Sequence, residues 1–77
     1  MIEKVIITLQ ANSREIDIEL PVDVPIGVLK PNIHVALKSK GLNISPMFDL
    51  TSKGRIFAEE ETLGELEIWD GALVSVS

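Results

Sequence analysis

Val24 to Leu42 reads VPIGVLKPNIHVALKSKGL, and this stretch decides the fold. Ile26, Leu29, Ile33 and Leu37 recur at spacings of three and four, so a helix places them on one face. Val28 and Ala36 are expected to widen that stripe. Lys30, Asn32, His34, Lys38 and Lys40 fall mostly on the other side. Pro25 suits a first helical turn, and Gly41 is a C-terminal stop. Pro31 cannot donate to the carbonyl of Gly27. The helix is therefore either kinked there or regular only from about Lys30. One dry face on one helix needs one cover.

That cover comes from both sides of the helix. Lys4 to Gln10 alternates weakly, with Val5, Ile7 and Leu9 on one side. Ala11-Asn12-Ser13-Arg14 is a polar turn. Ile16, Ile18 and Leu20 then alternate strictly with Glu15, Asp17 and Glu19, as in a strand with one wet face. The two runs predict a hairpin that ends at Pro21. After the helix, Leu42 to Pro46 is a return loop. Met47 to Ser52 is a third strand with Phe48 and Leu50 inside. Lys53-Gly54 is a tight turn, and Arg55-Ile56-Phe57 a short fourth strand. Thr62 is placed to cap a short helical turn through Glu65. Ile68 is an inward anchor, Asp70-Gly71 a turn, and Leu73 to Val76 the last strand, with Val74 and Val76 inward. The fold class is α+β, one helix packed across a five-strand sheet in the order ββαββ(short turn)β, a β-grasp.

Size and composition limit the function. Seventy-seven residues make one domain, 1–77. Such a chain buries roughly 60–65% of its unfolded surface. There is no cysteine, hence no disulfide, thiol nucleophile or Cys-based metal site. Met1 to Ala11, broken by Glu3 and Lys4, is too short for a signal peptide or a span. A net charge of −5, from twelve acids and seven bases, argues against nucleic acid and against an anionic membrane surface. The acids are uneven: Glu59 to Asp70 holds six of them and no base. That segment is read either as a solvated face or as an acidic docking surface.

Several residues bear on chemistry. His34 lies between Lys30 and Lys38 on the outward helix face, with no carboxylate or nucleophile at helical spacing, and reads as a surface residue. A metal site needs several converging ligands, and none is visible. Glu59, Glu60 and Glu61 are adjacent in one loop, whereas catalytic carboxylates need unlike environments. No cofactor loop and no nucleophile–base pair is found, so no enzyme is expected. Trp69 follows the inward Ile68 and should point outward, rimmed by Glu67 and Asp70. Surface tryptophans are favoured binding anchors, although a ring covering a sheet edge reads the same way. Leu73 falls on the outward side of the last strand. Ile6 and Val22 are further outward apolar candidates. Trp69, Leu73 and the acids Glu59, Glu60 and Glu61 are the candidate partner-binding residues.

The chain resembles ubiquitin over most of its length. An ungapped match pairs Ile16-Asp17-Ile18-Glu19-Leu20 with ubiquitin's second strand. It also pairs Thr62-Leu63 and Ile68 with the Thr-Leu pair and buried Ile of ubiquitin's late loop. Leu20-Pro21-Val22-Asp23-Val24-Pro25-Ile26, Leu29, Pro31 and the late Asp70-Gly71-x-x-Val74-x-Val76 are more specifically similar to the YukD/EsaB family. These are small ubiquitin-like proteins of type VII (WXG-type) secretion systems in Gram-positive bacteria. LPVDVPIGVLKP is also similar to the cytosolic ubiquitin-like domain of EccD-like secretion-channel membrane proteins. Ala72 departs from the pattern, which has a further acid after Asp-Gly.

The resemblance implies a parallel pair between the first and last strands. It implies a cytoplasmic accessory or regulatory component, held at the inner face of the membrane through partners such as a secretion ATPase or channel, without membrane insertion of its own. A second implied role is a covalent modifier or sulfur carrier. It is disfavoured because the chain ends Val74-Ser75-Val76-Ser77, without a Gly-Gly tail. Where ubiquitin shows its aliphatic patch, this chain places Thr51, Ser75 and Ser77, which supply little apolar area. A third reading is an excised domain of a larger membrane protein.

Overall fold

The computed structural model describes residues 3–77; the first two residues of the Met1 to Ala11 stretch lie outside it. Strand β1 (Lys4–Ala11) and strand β2 (Arg14–Pro21) form an antiparallel hairpin in which Ala11 faces Arg14. The turn is therefore only Asn12-Ser13. Both residues have positive φ, 49° and 64°, as a type I′ turn requires. Helix α1 (Ile26–Ser39) follows, then β3 (Leu50–Ser52), β4 (Arg55–Ile56) and β5 (Leu73–Val76). The sheet order is β2-β1-β5-β3-β4. β5 runs parallel to β1, with Thr8 opposite Leu73, and antiparallel to β3. The α+β expectation and the parallel central pair are both met.

Alternation decides the sheet faces. Val5, Ile7, Leu9 and Ala11 are buried under the helix, and Lys4, Ile6, Thr8 and Gln10 face outward or half-outward. The helix contributes Ile26, Leu29, Ile33 and Leu37 to the same core, all essentially inaccessible, as their spacing predicts. Leu50, Phe57, Leu63 and Val74 close it from the other half of the chain.

Several expectations shift. Val28 does not widen the apolar stripe: it is 58% exposed. It stands 200° around the helix from Ile26, so helical geometry overrides its apolar character. The helix spans Ile26 to Ser39 and continues through Pro31. The turn before Lys30 is helical too, and its first two amides find partners outside the helix. Ile26 N–H donates to the Glu61 carbonyl at 2.8 Å and Gly27 N–H to the Glu59 carbonyl at 2.9 Å. Leu37 carbonyl accepts the amides of Lys40 and Leu42, closing the other end at Gly41, whose φ is 82°. The third strand begins at Leu50, not Met47. Asp49 exchanges two backbone bonds with Ser77 (2.8 and 3.0 Å), but Met47 is left exposed. Val22 is half-buried against the core, not outward. The expected capping turn is present: Thr62 N–H donates to Glu65 Oε1 at 3.0 Å, and Glu65 N–H donates to Thr62 Oγ1 at 3.1 Å.

Candidate functional site

The turn from Trp69 to Ala72 builds the outward apolar surface. Ala72 N–H donates to the Trp69 carbonyl at 3.1 Å, and Gly71 takes the positive φ (86°) that favours glycine at such a turn. The turn is fastened to β1. Gly71 N–H donates to the Ile6 carbonyl (2.9 Å), Thr8 N–H to the Ala72 carbonyl (2.9 Å), and Ile6 N–H to Asp70 Oδ1 (2.7 Å). These bonds place Ile6, Trp69 and Leu73 at one end of the outer sheet face. They are 49%, 53% and 48% exposed. Each is too accessible to be core; Ile56, 61% exposed opposite Thr51, is a further apolar side chain on the same sheet face. Across from Ile6 and Thr8 on β2 stand Glu19 and Asp17. Thr8 Oγ1 donates to Asp17 Oδ1 at 2.8 Å.

Leu73 also forms one wall of an open groove between the β3–β4 turn and the segment from Leu66 to Leu73. Lys53 and Arg55 stand at its rim, and Ser52 Oγ closes its floor by donating to the Leu73 carbonyl at 3.1 Å. Reading the sequence alone misses this groove. The Lys53-Gly54 turn was legible, but its juxtaposition with Leu66 to Leu73 depends on strand order.

The acidic loop is elsewhere. Its carbonyls cap the start of α1, so Glu59, Glu60 and Glu61 border the helix layer rather than the outer face. The Glu59 carboxylate accepts from Lys30 Nζ at 3.1 Å and lies over Gly27. Lys30 also reaches Asp49 Oδ1 at 3.8 Å, and its side chain is largely covered. Glu61 pairs with Arg55 and accepts the Ala58 amide at 2.8 Å. Glu60 stays exposed. Trp69 and Leu73 thus flank the turn fastened to β1, Glu59 and Glu60 lie at the helix start, and Glu61 reaches the groove's Arg55.

His34 is not on the outward face. It is half-buried, and its Nε2 donates to the Ile44 carbonyl at 2.9 Å. It pins the return loop to the helix. Among the described residues no cluster of three or more His, Cys, Asp or Glu is arranged to hold a metal ion. No helix among them is long and apolar enough to cross a membrane.

The fold matches solved structures closely. The ubiquitin-like domain of the Mycobacterium tuberculosis type VII secretion system protein ECCD1 superposes with a TM-score of 0.78 at 15% identity, covering 96% of this chain and 97% of that one. The EccD5 ubiquitin-like domain from Mycobacterium xenopi gives 0.75 at 18% identity, covering 97% and 93%. Ubiquitin of Caldiarchaeum subterraneum gives 0.73 at 22% identity, covering 96% and 91%. These likenesses establish a ubiquitin-like β-grasp. No curated protein sequence matches the chain. The model of the family described as "WXG100 protein secretion system (Wss), protein YukD" matches residues 4–76, nearly the whole sequence. The chain therefore belongs to the YukD family of the WXG100, or type VII, protein secretion system.

Proposed function

We propose that this protein is a non-catalytic docking component of a bacterial type VII secretion apparatus. It works on the cytoplasmic side and binds a membrane-held ATPase or channel subunit through the outer sheet face around Ile6, Trp69 and Leu73. The observation that carries this reading is the exposure of three large apolar side chains at one end of the sheet, held there by the Asp70 and Gly71 bonds to Ile6. Natural interfaces favour such an aromatic anchor with a polar rim. Here Glu19, Asp70 and Lys53 supply the rim. The exposed Glu60 adds to the acidic field that steers a basic partner.

The likeness to one protomer of the ESX-3 core complex supports placing the domain within a secretion assembly. That match has a TM-score of 0.80 at 20% identity and covers 97% of this chain but 16% of the protomer. It equally favours a second reading, that the same fold serves as one domain of a larger channel component.

The test is capture from the native host with an N-terminal tag after gentle solubilisation of membranes, half the sample being boiled in denaturant first. Secretion subunits that are lost on boiling, and lost with Trp69→Ala and Leu73→Ala, are the expected result. Partners surviving the boil would mean a covalent attachment and would overturn the docking reading in favour of a modifier. Recovery of no secretion subunit would also overturn it.

A further inference from the structure

The sheet ends at β2, an eight-residue strand that among the described residues pairs with no strand on its outer edge. The hydrogen-bond phase along that edge follows from one contact. Val22 N–H donates to the Glu3 carbonyl at 3.0 Å, so in an antiparallel ladder the even-numbered residues of β2 bond to β1. Glu15, Asp17 and Glu19 then turn their backbone N–H and C=O outward. Pro21, which has no N–H, falls on the same free edge and costs the ladder nothing.

The two faces of this edge differ. The side chains of Glu15, Asp17 and Glu19 form an unbroken acidic row on the outer face. On the inner face Ile16 and Ile18 are only half-buried, although their cross-strand partners Leu9 and Ile7 are fully covered. Lys30 and His34 of the helix engage Glu59, Asp49 and the return loop, and β2 meets the helix end through Arg14, which donates to the Lys40 carbonyl at 3.1 Å. A row of half-covered isoleucines runs beneath β2.

We propose that β2 receives an extended segment of a partner protein as a sixth strand, and that this segment alternates basic and apolar residues. Three features specify it together. The open N–H and C=O groups take a strand. The period-two alternation of the strand directs its apolar residues over Ile16 and Ile18. Its intervening Lys or Arg residues come opposite Glu15, Asp17 and Glu19, where opposite charges in cross-strand pairs stabilise. A second copy of this chain fits poorly, because β2 against β2 sets carboxylate against carboxylate, and like charges directly opposite destabilise. This edge shares Glu19 with the rim of the Trp69 end but does not depend on the reading given for it.

The experiment uses the 15N-labelled protein and blocked seven-residue peptides that alternate lysine or arginine with valine or isoleucine. A peptide with glutamate in place of lysine is the control. The expected result is amide shifts confined to residues 14–20, slowed hydrogen exchange at the amides of Glu15, Asp17 and Glu19, and no binding of the control. Glu15→Lys with Glu19→Lys should weaken binding at low salt by tenfold or more, and the milder Glu15→Gln with Glu19→Gln by a few-fold. Several outcomes overturn the proposal: equal binding of the glutamate peptide, shifts centred on Ile6, Trp69 and Leu73, concentration-dependent β2 shifts without peptide, or no shifts with any peptide at millimolar concentration.

Discussion

Ile6 and Asp70, 64 positions apart, are joined by a 2.7 Å hydrogen bond from the Ile6 amide to the Asp70 carboxylate. The bond lies just before β5 takes up its pairing with β1, where Ile6 N–H has no strand partner. Asp70→Ala leaves that donor to water and loosens the turn carrying Trp69. Bonds to charged groups contribute about 1.5–3 kcal/mol, and an exposed one belongs at the low end. We expect a loss of about 1–2 kcal/mol, read as a fall in urea midpoint. Asp70→Asn, which keeps an acceptor, should lose less than half as much. An unchanged midpoint for Asp70→Ala would show that the turn holds without this bond.

Pro31 sits inside α1 and is exposed. It withholds one helical hydrogen bond, to Gly27, and an interior proline costs a helix about 3 kcal/mol. Part of that is offset by its restriction of the unfolded chain, about 0.4–1 kcal/mol. Pro31→Ala is expected to stabilise the protein by about 1–3 kcal/mol, and thermal melting measures this directly. Destabilisation would mean that a bend at Pro31 is needed for packing Ile26 and Leu29 beside Ile33 and Leu37.

Gly27 has little room for a side chain because the Glu59 carboxylate lies over it on its way to Lys30. Alanine is the better helix former by up to about 1 kcal/mol. A methyl group there displaces the Glu59 carboxylate, whose exposed pairing with Lys30 contributes about 0–1 kcal/mol. Gly27→Ala should therefore stabilise less in the native sequence than in a Glu59→Ala background. A double-mutant cycle by denaturant unfolding measures the difference, and equal effects in both backgrounds would exclude the coupling.

Trp69→Ala and Ile33→Ala separate surface from core. Ile33 is inaccessible at the centre of the helix face, and its truncation should cost about 2–5 kcal/mol. That is a large share of the total for a domain of this size. Half-exposed Trp69 should cost about 1–2 kcal/mol of stability, since roughly 100 Å² of its surface is covered. Its loss should weaken partner binding about thirtyfold. The opposite pattern, a large stability loss with intact binding, would make Trp69 a core residue.

The helix face was legible because Ile26, Leu29, Ile33 and Leu37 obey one period; the expectation for Val28 failed because its apolar character was weighed above that period, which sets it on the wet side. The hairpin and the Thr62–Glu65 cap were legible because both are local. His34 was not. Its angle on the helix is known from spacing, but only the return of the chain through Ile44 covers it. The shortened third strand has the same cause: whether Met47 and Asp49 join a ladder depends on Ser77, far along the chain. Trp69 and Leu73 were readable as outward one at a time, and the fastening of the turn between them to Ile6 required the parallel register of β1 and β5. The free edge of β2 was hidden for the same reason, since alternation gives a strand its faces but not its place in the sheet.

The central position of β5 also governs biosynthesis. Its four residues fill the slot between the first strand and the third, so the sheet stays in two pieces until residue 76 has left the ribosome. The β1–β2 hairpin and α1 are made earlier, and meanwhile the helix has only half its partner surface. The arrival of β5, rather than the stepwise addition of earlier strands, should set the moment when the core becomes dry.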